Sequence, residues 1–212
     1  MGTPKPHPPA ERLIVYVDGF NLYHGLHQAY GRSLLWIDLV ALSRSLRPRS
    51  ALVGVKYFTA PVLGDPGALS RQAHHQSAMS ARNPGLLTVV QGRYQSKNVT
   101  CRNCGRAHRV YEEKETDVNI AVALVSDSAL GNMDSALIIS ADSDLAPAVK
   151  VAHVLKPNMF ITAAFPPERY SNELKSLMPA SFKIGRDKLR QAQLPATFTA
   201  DRATFSRPDK WK

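Results

Sequence analysis

The stretch Leu13-Ile-Val-Tyr-Val-Asp-Gly-Phe-Asn21 runs five apolar residues straight into a carboxylate, a glycine and an asparagine. Leu13 to Val17 is rich in β-branched and aromatic side chains and reads as a strand. Its apolar residues are continuous rather than alternating, the pattern of a strand covered on both faces, as in a parallel sheet. Asp18 then falls at the strand's carboxyl end. Turn chemistry alone accounts for Asp, Gly and Asn at such a place, but a doubly wound α/β sheet also binds its ligands there. In the second case Gly19 leaves room for close approach of a metal or phosphate.

Working outward, short apolar blocks recur at Leu52 to Phe58, Leu86 to Val90, Ala136 to Ile139 and Met159 to Ala164. Between them Asn21 to Tyr30, Ile37 to Leu46, Pro66 to Ala81, Thr116 to Ala129 and Leu145 to Leu155 fit helices. Alternation of this kind predicts a three-layer α/β sandwich around a central, mainly parallel sheet of about five strands. Residues 1–11 read as a flexible leader, 12–186 as one domain and 187–212 as a basic tail, since neither end shows sustained hydrophobic periodicity. About 92–111 reads as an inserted hairpin carrying Cys101 and Cys104.

The chain has 212 residues, a formal net charge of +10 and a pI near 9.8. That balance favours an acidic polymer such as nucleic acid as partner over a small neutral metabolite. Half of the excess lies from Lys183 onward, with eight Lys or Arg against three Asp. The segment Arg82 to Arg109 holds six basic residues and no acid. No apolar run approaches the roughly 18 residues of a membrane span, and the start is Pro-rich and polar, so a cytoplasmic protein without a membrane partner is expected.

Four acids fall where a site is expected. Asp18 ends the first strand, Asp142 and Asp144 follow Ala136 to Ile139, and Asp117 lies in the first turn of the helix leading into that strand. Each also suits a helix cap or a helix dipole. If the first and fourth strands are neighbours, Asp18 and Asp142 converge on one crevice. Unit charges about 4 Å apart repel by roughly 4 kcal/mol at an effective dielectric near 20, so clustered carboxylates call for protons or cations. All-oxygen ligation favours Mg²⁺ or Mn²⁺, ions that polarise a phosphoryl oxygen and help ionise water. A basic protein with such a cluster reads as a phosphodiesterase acting on nucleic acid.

Val17-Asp-Gly-Phe-Asn-Leu-Tyr23, Glu112 to Ala121 and Ile138-Ile-Ser-Ala-Asp-Ser-Asp-Leu-Ala-Pro147 together resemble the NYN domain family, the PIN-like group also called LabA/DUF88, over about residues 12 to 185. The resemblance implies a PIN-like Rossmannoid fold and a ribonuclease hydrolysing RNA, single-stranded by preference, through metal-activated water. It makes Asp18, Asp117, Asp142 and Asp144 the metal-binding quartet. Asn21 would orient a water or contact the scissile phosphate. Ser140 and Lys114 follow as supports, the hydroxyl for an acid and the ammonium for phosphate, and the products would carry a 5′-phosphate and a 3′-hydroxyl. Two other functions fit fewer of these residues: an RNA-binding adaptor on the same fold that does not turn over, and a DxD-type nucleotide-sugar transferase, which leaves Asp18 and Asp117 without a role.

Cys101-Arg-Asn-Cys104-Gly105 has the spacing of half a zinc knuckle, with His108 the nearest further ligand. The other reading is a reduced cysteine pair in a basic hairpin whose Arg93, Lys97, Arg102, Arg106 and Arg109 contact RNA. Tyr94, Tyr111 and Trp211 sit among basic residues, as base-stacking side chains do. Tyr16, Phe20 and Tyr23 read as core or crevice wall. His24, His27, His74 and His75 read as surface residues on helices. A homodimer is compatible with a domain of this size.

Overall fold

The computed structural model describes residues 11–100 and 105–212; the side chains of 94–98 and 108–114 are outside that description, as are Cys101, Arg102 and Cys104. The expected zinc ligands Cys101, Cys104 and His108, the basic side chains of Lys97, Arg102, Arg109 and Lys114, and the rings of Tyr94 and Tyr111 therefore lie outside the described residues. In chain order the elements are β1 (Arg12–Asp18), α1 (Gly19–Tyr30), α2 (Leu39–Leu46), β2 (Ala51–Thr59), α3 (Pro66–Arg82) and β3 (Leu87–Gln91). An antiparallel pair follows, β4 (Arg93–Thr100) and β5 (Ala107–Lys114), and then α4 (Thr116–Leu130), β6 (Ser135–Ile139) and α5 (Ala146–Leu155). The chain ends with β7 (Phe160–Phe165), α6 (Asn172–Leu177), β8 (Phe182–Lys183), α7 (Arg186–Gln191), β9 (Thr197–Ala200) and β10 (Ala203–Ser206).

The main sheet has the order β3-β2-β1-β6-β7-β8, and every pairing in it is parallel. It holds six strands because a two-residue β8, too short to leave a pattern in the sequence, pairs with β7. Strand order reverses between β1 and β6, where Val17 pairs with Ile139. That is the switch point of a doubly wound sheet, and crevices open there.

Side chains of β1 alternate between two cores. Leu13, Val15 and Val17 enter a cluster with α1, α2 and α7, while Ile14 and Tyr16 enter a second cluster with α4, α5 and α6. Both faces are covered, which is why the sequence shows a continuous apolar run. Each such fully buried side chain is worth about 1.5–3 kcal/mol relative to exposure.

A buried polar knot holds α4 on the sheet. Asp127 accepts hydrogen bonds from Tyr16 Oη at 2.7 Å, Lys56 Nζ at 2.5 Å and Asn132 Nδ2 at 2.9 Å. Burial acts to raise the Asp127 carboxyl, but donation from Lys56, Asn132 and Tyr16 outweighs it and holds the group below its ordinary range. Helix α4, which carries Asp117, is thereby tied to β1 and β2.

The stretch expected as a basic tail is packed against the body of the protein. Leu189, Ala192, Leu194, Phe205 and Trp211 join the first core cluster. The Trp36 indole donates to the Pro195 carbonyl at 2.9 Å, and the Leu194 amide donates to the Trp36 carbonyl at 2.9 Å. Trp211 is 8% exposed beside Trp36 and His75, so its ring packs in the core and is not an exposed surface for stacking along single-stranded RNA.

His75, expected at the surface, is also buried. Its Nε2–H donates to the Ile37 carbonyl at 2.8 Å. Burial dominates its electrostatics and lowers its pKa to about 4; the bond to Ile37 and the charge of Asp38 oppose the shift, and His74 adds to it. A group whose folded value is depressed from 6.5 favours the folded state fully above that value. The contribution is then lost as pH falls toward 4. Stability to urea should drop by about 3 kcal/mol between pH 6.5 and 4 from this group, and His75→Gln should remove that part of the acid sensitivity.

Candidate metal centre

Asp18 is 3% exposed at the end of β1 and is fixed by both neighbouring motifs. Its Oδ1 accepts the Asn21 amide at 2.9 Å, which caps α1, and its Oδ2 accepts the Ser140 hydroxyl at 2.8 Å. Ser140, itself fully buried, accepts the Asp142 amide at 3.0 Å through the same hydroxyl. Asn21 Oδ1 accepts the Ala141 amide at 3.1 Å. The first and third motifs are therefore joined side chain to backbone across the β1–β6 boundary.

Asp142 follows β6 and caps a short 3₁₀ turn, Ser143–Leu145, by accepting the Asp144 amide at 3.0 Å. Capping and ion binding do not compete, because a carboxylate offers about four lone-pair directions. Asp117 lies in the first turn of α4, at the positive end of the helix dipole. The preceding Glu115 adopts φ 78°, an uncommon left-handed conformation for a residue with a side chain, and pairs with Arg93 at the foot of the β4–β5 arm. That bend turns the chain from the arm into the helix.

Together these elements bring one oxygen each of Asp18, Asp117 and Asp142 within 4.8 Å of one another, a group that could hold a metal ion. Asp144 is not part of the group; its side chain is exposed on the turn. Asp18 is buried and the other two are half-buried, so water alone screens them incompletely. One strand end, one helix start and one turn supply an all-oxygen donor set that suits a hard divalent cation. Among the expected RNA contacts, Arg93 and Arg106 are exposed, with Arg93 engaged by Glu115.

Gly19 has a different reason from the one its position suggests. A Cβ there would stand 2.6 Å from the Phe58 carbonyl oxygen and 2.8 Å from a ring carbon of Tyr57. The space a side chain would need is filled by the end of β2. Gly19→Ala should force β1 and β2 apart at their carboxyl ends and cost about 1–3 kcal/mol in chemical denaturation.

A cavity of about 320 Å³ opens between α1, α3 and the end of β2, with Gly19 and Phe20, the two residues after Asp18, and Tyr57, Thr59, Gln72 and Trp211 in its walls. Tyr57 is raised above the ordinary phenol value, chiefly by burial and further by the negative charge of Asp18, while Thr59 opposes the shift. Neither Tyr57 nor Thr59 stands in a recognisable motif. Their place at the carboxyl end of the strand adjoining β1 is the signal that marks them.

A mainly parallel, doubly wound α/β fold with an acidic triad at its switch point is the arrangement of a PIN-like nuclease. Residues 12–181 match the NYN domain, and the chain belongs to that family, which suggests nuclease activity. It is 30% identical to 6-hydroxy-3-succinoylpyridine 3-monooxygenase HspA of Pseudomonas putida, over 66% of this chain and 55% of that protein. The chain thus spans about half the length of this curated relative. A solved structure of a protein of unknown function from Vibrio parahaemolyticus shares the fold at a TM-score of 0.58 and 21% identity, covering 86% of this chain and 98% of that one. No helix among the described residues is long and apolar enough to cross a membrane.

Proposed function

We propose that the protein is a metal-dependent ribonuclease that hydrolyses phosphodiester bonds of single-stranded RNA. The observation that carries this is the meeting of Asp18, Asp117 and Asp142 within 4.8 Å at the switch point of a chain with a net charge of +10. The donor set is all oxygen and partly desolvated, which fits Mg²⁺ or Mn²⁺. When bound, such an ion supplies positive charge to a phosphoryl oxygen and lowers the pKa of a water. The residues of the chain do the rest. Asp18 is held at fixed orientation by Ser140 and the Asn21 amide, so little reorganisation is needed on loading. Asn21 commits its oxygen to Ala141 and turns its amide nitrogen to the task of meeting a phosphate or a water. Water attacks phosphorus, the bond to the 3′-oxygen breaks, and the products carry a 5′-phosphate and a 3′-hydroxyl.

The test is cleavage of labelled single-stranded RNA. A chelator should stop it, Mn²⁺ or Mg²⁺ should restore it, and Asp142→Asn should lose it while still retaining RNA on a filter. Retained cleavage in Asp142→Asn would sink the site. RNA retention without any cleavage in the native chain would favour the non-catalytic adaptor.

A second function draws on the relative named as a monooxygenase of a substituted pyridine and on the aromatic-walled cavity. It predicts oxygen uptake on adding a hydroxypyridine with a reductant, and no dependence of that uptake on Asp142.

A further inference from the structure

The cavity that starts at Gly19, the residue after Asp18, has no part in the phosphodiester hydrolysis above, yet its walls are specific. Gly19 and Phe20 follow Asp18 directly in the chain and form one wall, and Tyr57, in register with Val17 on the neighbouring strand, stands in another. At about 320 Å³ it lies at the lower end of the roughly 300–1,000 Å³ of small-ligand sites, room for one ring system and not for a stacked run. Its aromatic lining is Phe20, Tyr23, Tyr57 and the nearly buried Trp211, and its charged lining is Arg32 and Arg71 with Asp65, which feels the charge of Arg71. The lining is braced before any ligand arrives. Gln72 donates to the Ala60 carbonyl at 2.9 Å and the Thr59 hydroxyl at 3.2 Å, and accepts the Val62 amide at 3.0 Å.

We infer that the cavity is a base-selecting subsite: it takes the base of the nucleotide adjoining the phosphate held at Asp18, Asp117 and Asp142. A planar heterocycle joined through one sugar to a phosphate presents aromatic surface to the rings and negative charge to the arginines and the metal centre. An extended peptide exceeds a volume of about 320 Å³. Aromatic stacking accepts any base, so preference among bases comes from the fit of their edges against the braced wall. The inference rests on the phosphodiesterase reading for its second half, and binding by itself does not require turnover.

Titration of the native protein with each of the four nucleoside 5′-monophosphates, in chelator, reads occupancy through tryptophan emission, because Trp211, one of two tryptophans, lines the cavity. Saturable quenching is expected, unequal among the four bases. Ala68→Phe, which fills the cavity from a half-buried position on α3, should weaken it about tenfold or more, the order of one stacked base. Arg71→Gln should weaken the monophosphates about tenfold and leave unphosphorylated nucleosides unchanged, which guards against a folding defect in the first variant. Absence of saturable quenching with all four, or equal affinity in native protein and Ala68→Phe, overturns the subsite. So does quenching by a hydroxypyridine where nucleotides give none. Failure of the two ideas is separable. Mn²⁺-dependent RNA cleavage at unchanged positions and KM in Ala68→Phe removes the subsite alone, whereas selective quenching with no RNA cleavage keeps the nucleotide site and removes the nuclease.

Discussion

Asp18→Asn is expected to abolish measurable Mn²⁺ binding and to lower RNA cleavage on the order of 10³-fold, while the thermal midpoint shifts by only a few degrees. The asymmetry follows from what each atom of the carboxylate does. The amide oxygen of Asn still accepts the Asn21 N–H and keeps the cap of α1. Its nitrogen faces Ser140, whose hydroxyl already accepts the Asp142 amide and loses its acceptor, so a loss of about 1 kcal/mol in stability is expected from that contact. Removal of the charge is another matter, since ion-based stabilisation of a phosphoryl transition state is worth several kcal/mol and each 1.4 kcal/mol is about tenfold in rate. Calorimetric titration with Mn²⁺, a thermal melt and an RNA cleavage assay on the same preparation separate the two effects. Asp144→Asn is the control: outside the triad and exposed, it should cost about tenfold or less. Equal losses from Asp18→Asn and Asp144→Asn would contradict the triad.

Legibility of this chain in its sequence followed the length of each element and the density of its pattern. The strand Leu13 to Val17 announced itself because both faces are covered, and Asp18 because ligands collect at strand ends. Asp117 was visible from its place in the first turn of a helix, independent of tertiary structure. The exclusion of Asp144 was not visible. Two residues after Asp142, it lies on the 3₁₀ turn Ser143–Leu145 with its side chain exposed, and spacing along the chain does not encode that exposure. The burial of His75 has a helical trace: it sits three and four residues before Ala78 and Met79, the other buried residues of α3, on one stripe of that helix. The role of Gly19 depended on which atoms of β2 come near, a long-range fact with no local trace. From Arg186 on, the buried residues are spread over elements of three to six residues among many charges, too short for a period to emerge.

Those last elements carry the second large effect. Trp211→Ala should destabilise the protein by about 3 kcal/mol, the lower end of the cost of deleting a buried Trp side chain, since this one keeps 8% of its surface exposed. The indole packs tilted on Trp36 with centroids 6.3 Å apart and edge-on to His75 at 5.5 Å. Removing it opens water to His75, and the imidazole's pKa should rise from about 4 toward its ordinary value as burial is relieved. The two consequences have opposite signs on a pH series. At pH 7.5 the variant is weaker than native by the full amount; toward pH 4.5 the gap narrows, because native protein loses the stability tied to a neutral His75 and the variant has less of it to lose. Urea denaturation of both proteins at the two pH values measures this. If Trp211 were instead a free platform for single-stranded bases, the substitution would leave stability within about 0.5 kcal/mol, as surface changes do, and would lower RNA affinity alone.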